Sequence, residues 1–471
     1  WTFLDRFANQ IIHFESGIVL ARLLSPEEYG LVGMLTIFMA VADTFISTGF
    51  GEALIRKTDP SKADYSTVFW LNIGTGFAFY LLFYLLAPSI SAFFGEPLLQ
   101  DILVVLSLSI IINAFGLVPR VPLIKKLDFK SFTKVSITAT TLSGIVAIVL
   151  AINGFGVWSL VWRNIINSLI TTIFIYLLSK PQFSLQFSRQ SFNEFFGFGS
   201  NLLFSRLLNE VYNNMYYLVI GKFFSARELG LYTRANGYKD LPSKTLNNVI
   251  QGVSYPILAG IKDDDVRLKK AYRRLIQGTM YLTFVLMFSL SAAAPNFIIG
   301  LIGEKWADVI PYLQLLCFVG IFYPLNYLNL NMMVVKGRTD LRLRLEIIRK
   351  LIAVPVIFIG IYFGIKIMLV AMIFMSFIDY YLTASGSGRL IHYTFKEQVA
   401  DIYPSFLLAL SVSVIVYLVG LILTTVPPLF TLIIQSSVGF IFAVTVSNYF
   451  NVKPFLEMKQ IIFSKLKLST I

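Results

Sequence analysis

Apolar runs of about 20 residues follow one another along nearly the whole chain, and each is long enough to cross a bilayer as an α-helix. Short polar segments separate the runs and leave no room for a domain outside the membrane. Polar residues interrupt the seventh, eighth and tenth runs. The pattern predicts an all-α integral membrane protein of about fourteen transmembrane helices, at 3–24, 30–50, 68–90, 100–118, 135–152, 156–179, 195–221, 229–258, 276–299, 307–335, 347–365, 367–385, 405–424 and 428–450.

One segment of the chain occurs twice in the same register. Residues 3–32 match residues 203–232 through the pairs Arg6/Arg206, Asn9/Asn209, Val19/Val219, Ser25/Ser225, Glu28/Glu228 and Gly30/Gly230. A second echo links Ala87-Pro88 and Gly95-Glu96 to Ala294-Pro295 and Gly303-Glu304. Duplicated halves within a membrane are typical of transporters, which bind their substrate where the repeats meet.

The repeat also predicts the domain organisation. Each half holds six helices. An even number of helices per half gives the two halves the same orientation in the membrane, so they are parallel repeats. We therefore expect an N-terminal six-helix bundle at 1–180 and a second six-helix bundle at 181–386, arranged around a central cavity. Two extra helices and a basic tail follow at 387–471.

Composition supports the membrane interpretation and narrows the chemistry. Apolar residues make up 56% of the chain and charged residues 14%, against about 25% charged in soluble domains. The lone cysteine, Cys317, excludes an internal disulfide, and the two histidines lie too far apart for metal-ligand spacing. No Gly-rich loop ends in Gly-Lys-Ser/Thr. We therefore expect no metal, no cofactor and no ATP hydrolysis by the chain itself.

Basic residues are distributed unevenly between the loops. Most of the 39 lysines and arginines follow even-numbered helices or lie in the tail, whereas loops after odd-numbered helices hold Lys222, Arg227, Lys305 and Lys366. By the positive-inside rule, both termini are predicted to be cytoplasmic. Anionic lipid headgroups account for the net charge of +13, so no nucleic acid is needed as a partner. The tail from Lys453 is expected either as an amphipathic helix on the inner leaflet or as a solvated basic segment.

Charged residues inside spans cost about 2.5–3.5 kcal/mol each at a helix centre, so they need a partner or a wet cavity. They concentrate in the first, second, seventh and eighth helices, which are the equivalent pairs of the two halves. This distribution predicts a polar cavity lined by those helices. Its members are Asp5, Arg6, His13, Glu15, Asp43, Arg206, Glu210, Arg234, Lys239, Asp240 and Lys244.

The duplicated arginines are the leading candidates for substrate binding. Arg6 and Arg206 are predicted about one turn inside the cytoplasmic ends of their helices, where two guanidiniums could grip a pyrophosphate bidentately. Alternatively, each snorkels to the headgroups or pairs locally, Arg6 with Asp5 and Arg206 with Glu210. At least one of Arg234 and Lys239 is also predicted to line the cavity. The alternative is that these side chains anchor the cytoplasmic end of their helix.

The remaining polar candidates each have two interpretations. Asp43, Glu15 and Glu210 could bind a coupling proton or sodium ion, or Asp43 and Glu15 could make structural hydrogen bonds to a nearby Ser or Thr. Asn9 and Asn209 could bond between helices or to sugar hydroxyls. His13 is expected to be a neutral core histidine, and Arg163 to be structural.

Three segments resemble the opening of Wzx-type polysaccharide flippases, including the lipopolysaccharide and teichuronic-acid exporters. They are 20–30 (LARLLSPEEYG), 49–55 (GFGEALI) and 65–72 (YSTVFWLN). The superfamily also contains the MATE drug exporters and the lipid II flippases. The resemblance implies two six-helix bundles around a cavity lined by helices 1, 2, 7 and 8. It further implies a bacterial plasma-membrane protein that is not an enzyme, and a substrate of undecaprenyl-pyrophosphate-linked oligosaccharide carried to the outer leaflet.

Two alternatives share the fold implied by the resemblance. A lipid II flippase would differ only in its substrate. A MATE-like ion-coupled drug exporter would need an acidic cavity, whereas the excess of buried charge is expected to be basic here. A polysaccharide polymerase would need a large outer loop, which the sequence lacks. Other polysaccharide assembly proteins are further possible partners.

Overall fold

The computed structural model describes residues 2–47, 50–179 and 186–468, and these residues contain α-helices and no strand. The predicted all-α class is confirmed. A short 3-10 helix, Glu304–Trp306, lies between α10 and α11. The α-helices are α1 (Thr2–Leu23), α2 (Pro26–Ser47), α3 (Phe50–Arg56), α4 (Lys62–Phe94), α5 (Leu98–Lys125), α6 (Phe129–Ile152), α7 (Val157–Ser179), α8 (Arg189–Phe223), α9 (Ala226–Ala259), α10 (Asp265–Ile302), α11 (Val309–Ile321), α12 (Tyr323–Val335), α13 (Thr339–Phe363), α14 (Ile365–Ile391), α15 (Phe395–Ile422), α16 (Pro428–Tyr449) and α17 (Lys453–Leu468).

Every predicted span coincides with a helix of the structure. The tenth span is broken at Phe322 into α11 and α12, where Pro324 occupies the start of the second helix. Among the described residues, ten helical segments are long and apolar enough to cross a membrane. Of the fourteen predicted spans, those at α1, α8, α9 and α13 fall outside that group, and each of these helices carries several charged residues. The chain is a multi-pass membrane protein.

The turn between α1 and α2 shows why the repeated sequence ends one helix and starts the next. Ser25 caps α2: its Oγ accepts from the Glu28 N–H at 3.3 Å, and its own N–H donates to Glu28 Oε2 at 2.6 Å. Ser225 caps α9 in the same way, accepting from the Glu228 N–H at 3.2 Å. A capping serine satisfies N–H groups that a helix start leaves unpaired.

The two copies of this turn contact each other through their glycines. A Cβ on Gly30 would lie 1.7 Å from the Ala226 carbonyl oxygen, and a Cβ on Gly230 would lie 1.8 Å from the Pro26 carbonyl oxygen. Only glycine fits at either position. The duplicated glycine therefore allows the first turns of α2 and α9 to cross at backbone distance.

The second sequence echo marks two long helices with similar features. Helix α4 contains Pro88 and ends at Gly95, whose φ is 78°. Helix α10 contains Pro295 and ends at Gly303, whose φ is 97°. Glycine is favoured at both ends because other residues rarely adopt positive φ.

The contacts divide the chain into two compact units, residues 1–230 and 231–471. In the first unit, α3, α4, α5 and α8 pack around a cluster of buried apolar side chains that includes Leu54, Val68 and Phe195. In the second, α10, α15 and α16 enclose a cluster that includes Val412 and Val416. The division into bundles at 180 and 386 stays a prediction.

An ion-pair cluster joins the loop after α3 to the start of α8. Lys57 Nζ lies 2.9 Å from Glu194 Oε2 and 3.1 Å from Asp64 Oδ2. The hydrogen bond with Glu194 is the main cause that raises the pKa of Lys57. The cluster holds the first turns of α8 against the loop after α3 and the start of α4.

The basic tail forms the helix α17 at Lys453–Leu468. Its first half packs on α10, with the Phe455 ring centroid 6.3 Å from that of Tyr281 and Glu457 paired with Arg274 at 3.2 Å. The helical interpretation of the tail is confirmed for its backbone, and its position on the inner leaflet stays a prediction.

Candidate functional site

A polar cavity of about 410 Å³ opens between α2 and α8 in the first unit. Its α2 wall comes from positions spaced i, i+3, i+4 and i+7, which lie on one face of a helix. Its α8 wall uses the spacing i, i+3 and i+4 in the same way. The lining residues are Ala40, Asp43, Thr44, Ser47, Arg206, Asn209 and Glu210. The cavity thus brings together four residues that the sequence analysis named as candidates.

Arg206 is the cation of this cavity, and its side chain is 47% exposed. Its Nη2 lies 2.6 Å from Oε1 of Glu52 on α3. Sequence reasoning considered Glu210 as the local partner and missed Glu52, although Glu52 lies within the segment 49–55 that carries the family resemblance. A pairing between different helices cannot be found from i, i+4 spacing.

The position of Arg206 along its helix differs from the sequence-based expectation. Helix α8 begins at Arg189, so Arg206 lies about 25 Å along the helix axis rather than one turn from its start. The prediction was wrong, since even from the predicted limit of the span at 195 Arg206 lies about three turns into the helix.

Asp43 is half-buried and lies at the boundary of this cavity. Its Oδ1 accepts a hydrogen bond of 3.3 Å from Nδ2 of Asn113 on α5. A nearby Ser or Thr was the expected hydrogen-bond partner of Asp43, whereas the observed partner is the Asn113 amide on another helix. Glu210, one turn along α8 from Arg206, accepts a 3.3 Å bond from Asn214.

The charge balance of the cavity differs from the expectation of a basic site. Its described lining contains one arginine and two carboxylates, Asp43 and Glu210. A pyrophosphate would therefore bind more readily once a proton or a cation neutralises a carboxylate. The excess of basic residues in the spans does not extend to this cavity.

Asn9 lies outside the cavity lining and connects two helices. Its Nδ2 donates to Asp5 Oδ1 and Ser136 Oγ, both at 2.8 Å, and its Oδ1 accepts from Thr140 Oγ1 at 2.8 Å. Asn9 therefore makes hydrogen bonds between helices, which is one of its two predicted interpretations. The repeat partner, Asn209, faces the cavity.

One further candidate on α1, Glu15, is not brought to this site. Glu15 is an exposed side chain that lines neither this cavity nor the one beside it. The side chain of Arg6 lies outside the described residues, as does that of Lys244 in α9. The predicted pairing of Arg6 and Arg206 therefore stays a prediction.

Arg234 and Lys239 belong to the second unit. The Arg234 guanidinium lies 5.8 Å from the centroid of the Trp306 ring, and Lys239 Nζ lies 2.7 Å from Asp240 Oδ1. Arg234 occurs in the third turn of α9. The choice between a cavity role and a cytoplasmic anchor for Arg234 and Lys239 stays a prediction.

Arg163 on α7 bonds to α1, although the sequence offered it no acidic neighbour. Its Nη2 lies 2.9 Å from His13 Nδ1 and 2.8 Å from Ser16 Oγ. Nδ1 can accept this bond only in a neutral imidazole, so the geometry fits the neutral histidine that was expected, but His13 is an exposed residue and not a core residue. Within the described part of the chain, no three His, Cys, Asp or Glu side chains group together as metal ligands.

A protein family and several known proteins are similar to this chain. The family described as "Polysaccharide biosynthesis protein" matches residues 19–311, which is more than half of the chain. The chain belongs to this family. The matched residues include α2, α8 and therefore the cavity with Asp43 and Arg206.

Similar proteins cover most of the chain. The lipopolysaccharide biosynthesis protein WzxC of Escherichia coli (strain K12) is 25% identical over 416 residues, covering 86% of this chain and 83% of that protein. The teichuronic acid biosynthesis protein TuaB of Bacillus subtilis (strain 168) is 27% identical, covering 72% and 71%. The succinoglycan biosynthesis transport protein ExoT of Rhizobium meliloti (strain 1021) is 26% identical, covering 67% and 64%. The resemblance to polysaccharide exporters is thus confirmed.

Solved structures show the same fold. The lipid II flippase MurJ in its inward closed conformation superposes with a TM-score of 0.75 at 14% identity, covering 95% of this chain and 98% of that chain. An inward-facing multidrug resistance MATE family transporter gives a TM-score of 0.60 at 15% identity, covering 81% and 95%. The chain therefore has the all-α fold implied by the resemblance.

Proposed function

We propose that the protein is a flippase that moves an undecaprenyl-pyrophosphate-linked oligosaccharide from the inner to the outer leaflet of the bacterial plasma membrane by alternating access. The observation that carries the proposal is membership of the polysaccharide biosynthesis family together with Arg206 on the wall of a polar cavity. The protein acts as a transporter and not as an enzyme. Both termini are proposed to be cytoplasmic.

Arg206 is proposed to bind the pyrophosphate. A guanidinium presents several N–H donors in one plane, which suits two phosphate oxygens at once. Its present partner, Glu52, is 35% exposed, so exchanging this carboxylate for a phosphate costs little desolvation. Arg6, its repeat partner, is proposed to act with it, and Arg234 and Lys239 to extend the cationic path in the second unit. Asn209 is proposed to bind sugar hydroxyls.

The carboxylates of the cavity are proposed to couple transport to an ion. Binding of a proton or Na⁺ at Asp43 or Glu210 would remove a negative charge next to Arg206. The attraction between Arg206 and a phosphate would then be less opposed, because like charges within a few ångströms disfavour each other. Glu15 is a further proposed ion ligand on α1. Ion entry and substrate binding would thus be linked.

A second candidate function is an ion-coupled exporter of cationic compounds. One observation favours it: carboxylates outnumber arginines in the described lining of the cavity. A drug-exporter role would need that acidic character to attract the substrate. A lipid II flippase is distinguished from the proposed function only by substrate.

The test uses proteoliposomes that hold a radiolabelled undecaprenyl-pyrophosphate oligosaccharide, with an external glycosidase to count lipid reaching the outer leaflet. We expect transport that depends on the protein and on a proton or Na⁺ gradient, and that falls at least about tenfold in Arg206→Ala and Arg6→Ala/Arg206→Ala. Arg274→Ala is the matched control, since Arg274 also forms an exposed ion pair, with Glu457 at 3.2 Å.

Each alternative has its own result. Transport of lipid II in preference to the oligosaccharide lipid would identify a lipid II flippase. Uptake of cationic drugs without movement of either lipid would identify a drug exporter. Transport that survives both arginine variants would leave the flippase and remove the role of the arginines.

A further inference from the structure

A second cavity of about 410 Å³ lies beside the first, between α2, α5 and α7 in the same unit. Ala40 and Asp43 line both cavities, so the two spaces adjoin at the Asp43 side chain. The other polar residues of the lining are Thr36, Ser109, Asn113, Asn164 and Ser168. None of the sequence-based candidates except Asp43 points to this space.

The chemistry of this lining differs from that of the first cavity. It consists of two side-chain amides, three hydroxyls and a few aliphatic groups, and among its described residues Asp43 is the one charged side chain. Amides and hydroxyls both donate and accept hydrogen bonds, which matches ligand hydroxyls that do the same. The lining is therefore suited to an uncharged, hydroxyl-rich ligand.

The two amides are positioned by bonds that use one donor of each. Asn113 Nδ2 donates to Asp43 Oδ1 at 3.3 Å, and Asn164 Nδ2 donates to the Leu160 carbonyl at 3.1 Å. An amide has two N–H donors and an acceptor oxygen, so each side chain is oriented without being saturated. Fixed polar groups in a partly apolar cleft are typical of small-molecule sites.

We propose that this second cavity is a subsite for the sugar attached directly to the pyrophosphate, and that it selects an uncharged sugar over a uronic acid. The inference rests on the proposed function, because the adjoining cavity would hold the pyrophosphate at Arg206. The hydroxyls of the sugar bond to Asn113, Asn164 and Asp43. When the coupling ion is held at Glu210, the ionised Asp43 carboxylate repels a carboxylate on the sugar ring, and no described lysine or arginine in the lining compensates.

The size of the cavity favours a sugar over a bare ion. A water occupies about 30 Å³ in the liquid, so 410 Å³ corresponds to roughly a dozen waters. A cation bound by Asp43 and Asn113 would leave most of that space to solvent. A sugar ring would fill a large part of it and replace several of those waters.

The test measures binding separately from transport, by ligand-observed saturation-transfer NMR on the full chain in detergent. The probes are methyl glycosides of glucose, galactose and N-acetylglucosamine, with methyl glucuronide as the charged comparison. We expect saturation of at least one neutral glycoside and weaker saturation of the glucuronide. Asn113→Ala and Asn164→Ala should each weaken binding about fivefold, because each removes a hydrogen bond.

Asn153→Ala is the matched control, because Asn153 also donates to a carbonyl one turn back, at 2.7 Å to Val149, and lies at the exposed end of α6. It should leave glycoside binding unchanged. Asp43→Asn keeps the size and one acceptor of the side chain but removes its charge. Asp43→Asn should therefore reduce the difference in binding between the neutral glycosides and the glucuronide. Misfolding would not produce such a change in selectivity.

Three results would overturn the proposal. Equal binding of glucuronide and neutral glycosides by the wild type would remove the charge selection. Glycoside binding unaffected by Asn113→Ala and Asn164→Ala would place the ligand elsewhere. Stabilisation by Na⁺ that Asp43→Asn abolishes, with no response to any glycoside, would identify a cation site instead.

The flipping assay separates this failure from failure of the proposed function. If the wild type transports the oligosaccharide lipid and the two amide variants transport it equally well, the subsite is wrong and the flippase stands. If the wild type transports no oligosaccharide lipid, the proposed function fails, and glycoside binding still reports on the cavity by itself.

Discussion

Two arginine–carboxylate pairs of this protein have similar chemistry and different surroundings. In the first unit, Arg206 pairs with Glu52 at 2.6 Å, and the two side chains are 47% and 35% exposed. In the second unit, Arg349 on α13 pairs with Asp379 on α14 at 3.1 Å, and their side chains are 23% and 9% exposed. Both pairs join two helices, but the first is accessible from outside the protein, whereas the second is largely buried.

The neighbours of each pair fit this difference. Near Asp379, Thr383 Oγ1 donates to Asn326 Oδ1 at 2.9 Å, and Asn329 Oδ1 accepts from Tyr272 and Ser387. These buried groups bond to one another across α10, α12 and α14. Around Arg206 the polar side chains instead line open space. A polar residue inside a membrane protein therefore indicates function only when its neighbours leave it accessible.

The largest expected effect is on the stability of the second unit. Arg349→Ala leaves the Asp379 carboxylate buried without its cation, which should lower the free energy of unfolding by about 3–5 kcal/mol. Thermal unfolding in detergent, followed by tryptophan fluorescence, measures this. Arg344→Ala, an exposed arginine on the same helix, is the control and should change stability by less than about 0.5 kcal/mol. Equal stability of the two variants would contradict the structural role of the buried pair.

Replacing both members of the buried pair should do less damage than removing one. Arg349→Met/Asp379→Leu fills similar volume and leaves no uncompensated charge, so we expect most of the loss to be recovered, to within about 1–2 kcal/mol of wild type. The same unfolding measurement applies, together with transport. A double variant that folds but loses transport would show that this pair also has a functional role.

For the exposed pair of Arg206 and Glu52 we expect the opposite result, a small change in stability and a large change in transport. Arg206→Ala is expected to change the free energy of unfolding by less than about 1 kcal/mol, because exposed ion pairs contribute little. Transport should nevertheless fall as stated under the proposed function. The unfolding scan and the flipping assay are run on the same preparation. A large loss of stability in this variant would make Arg206 a structural residue like Arg349.

The smallest effect is expected for the partner of Arg206. Glu52→Gln removes the carboxylate that competes with a phosphate for the guanidinium, so the substrate concentration for half-maximal transport should fall by no more than about fivefold. Titration of the lipid-linked substrate in the flipping assay measures the change. A loss of transport as large as that of Arg206→Ala would mean that Glu52 itself takes part in transport.

Much of the fold could be predicted from the sequence. Runs of apolar residues gave the helices because backbone groups in a bilayer must bond within their own segment. The helices extend beyond the predicted apolar spans into polar segments: α8 begins at Arg189, before the predicted limit of 195, and α10 begins at Asp265, before 276. The break at Phe322 within the tenth span was also missed, because the residues on both sides of it are apolar.

The candidate site was predictable only in part. Charged residues in otherwise apolar helices pointed to Asp43, Arg206 and Glu210, and the repeat pointed to Asn209. Glu52 and Asn113 were missed because their roles come from contacts with distant parts of the chain. Asn9 showed the reverse case, a candidate whose amide bonds to another helix.

The sequence by itself determined the class of protein, its helices and the duplicated turns, since these depend on local composition and spacing. The tertiary structure decided which polar side chains meet, and therefore which arginine lines a cavity and which is buried against a carboxylate. The physical reason is that the cost of a charge in a membrane is set by what surrounds it, water or protein, and helix packing determines those surroundings.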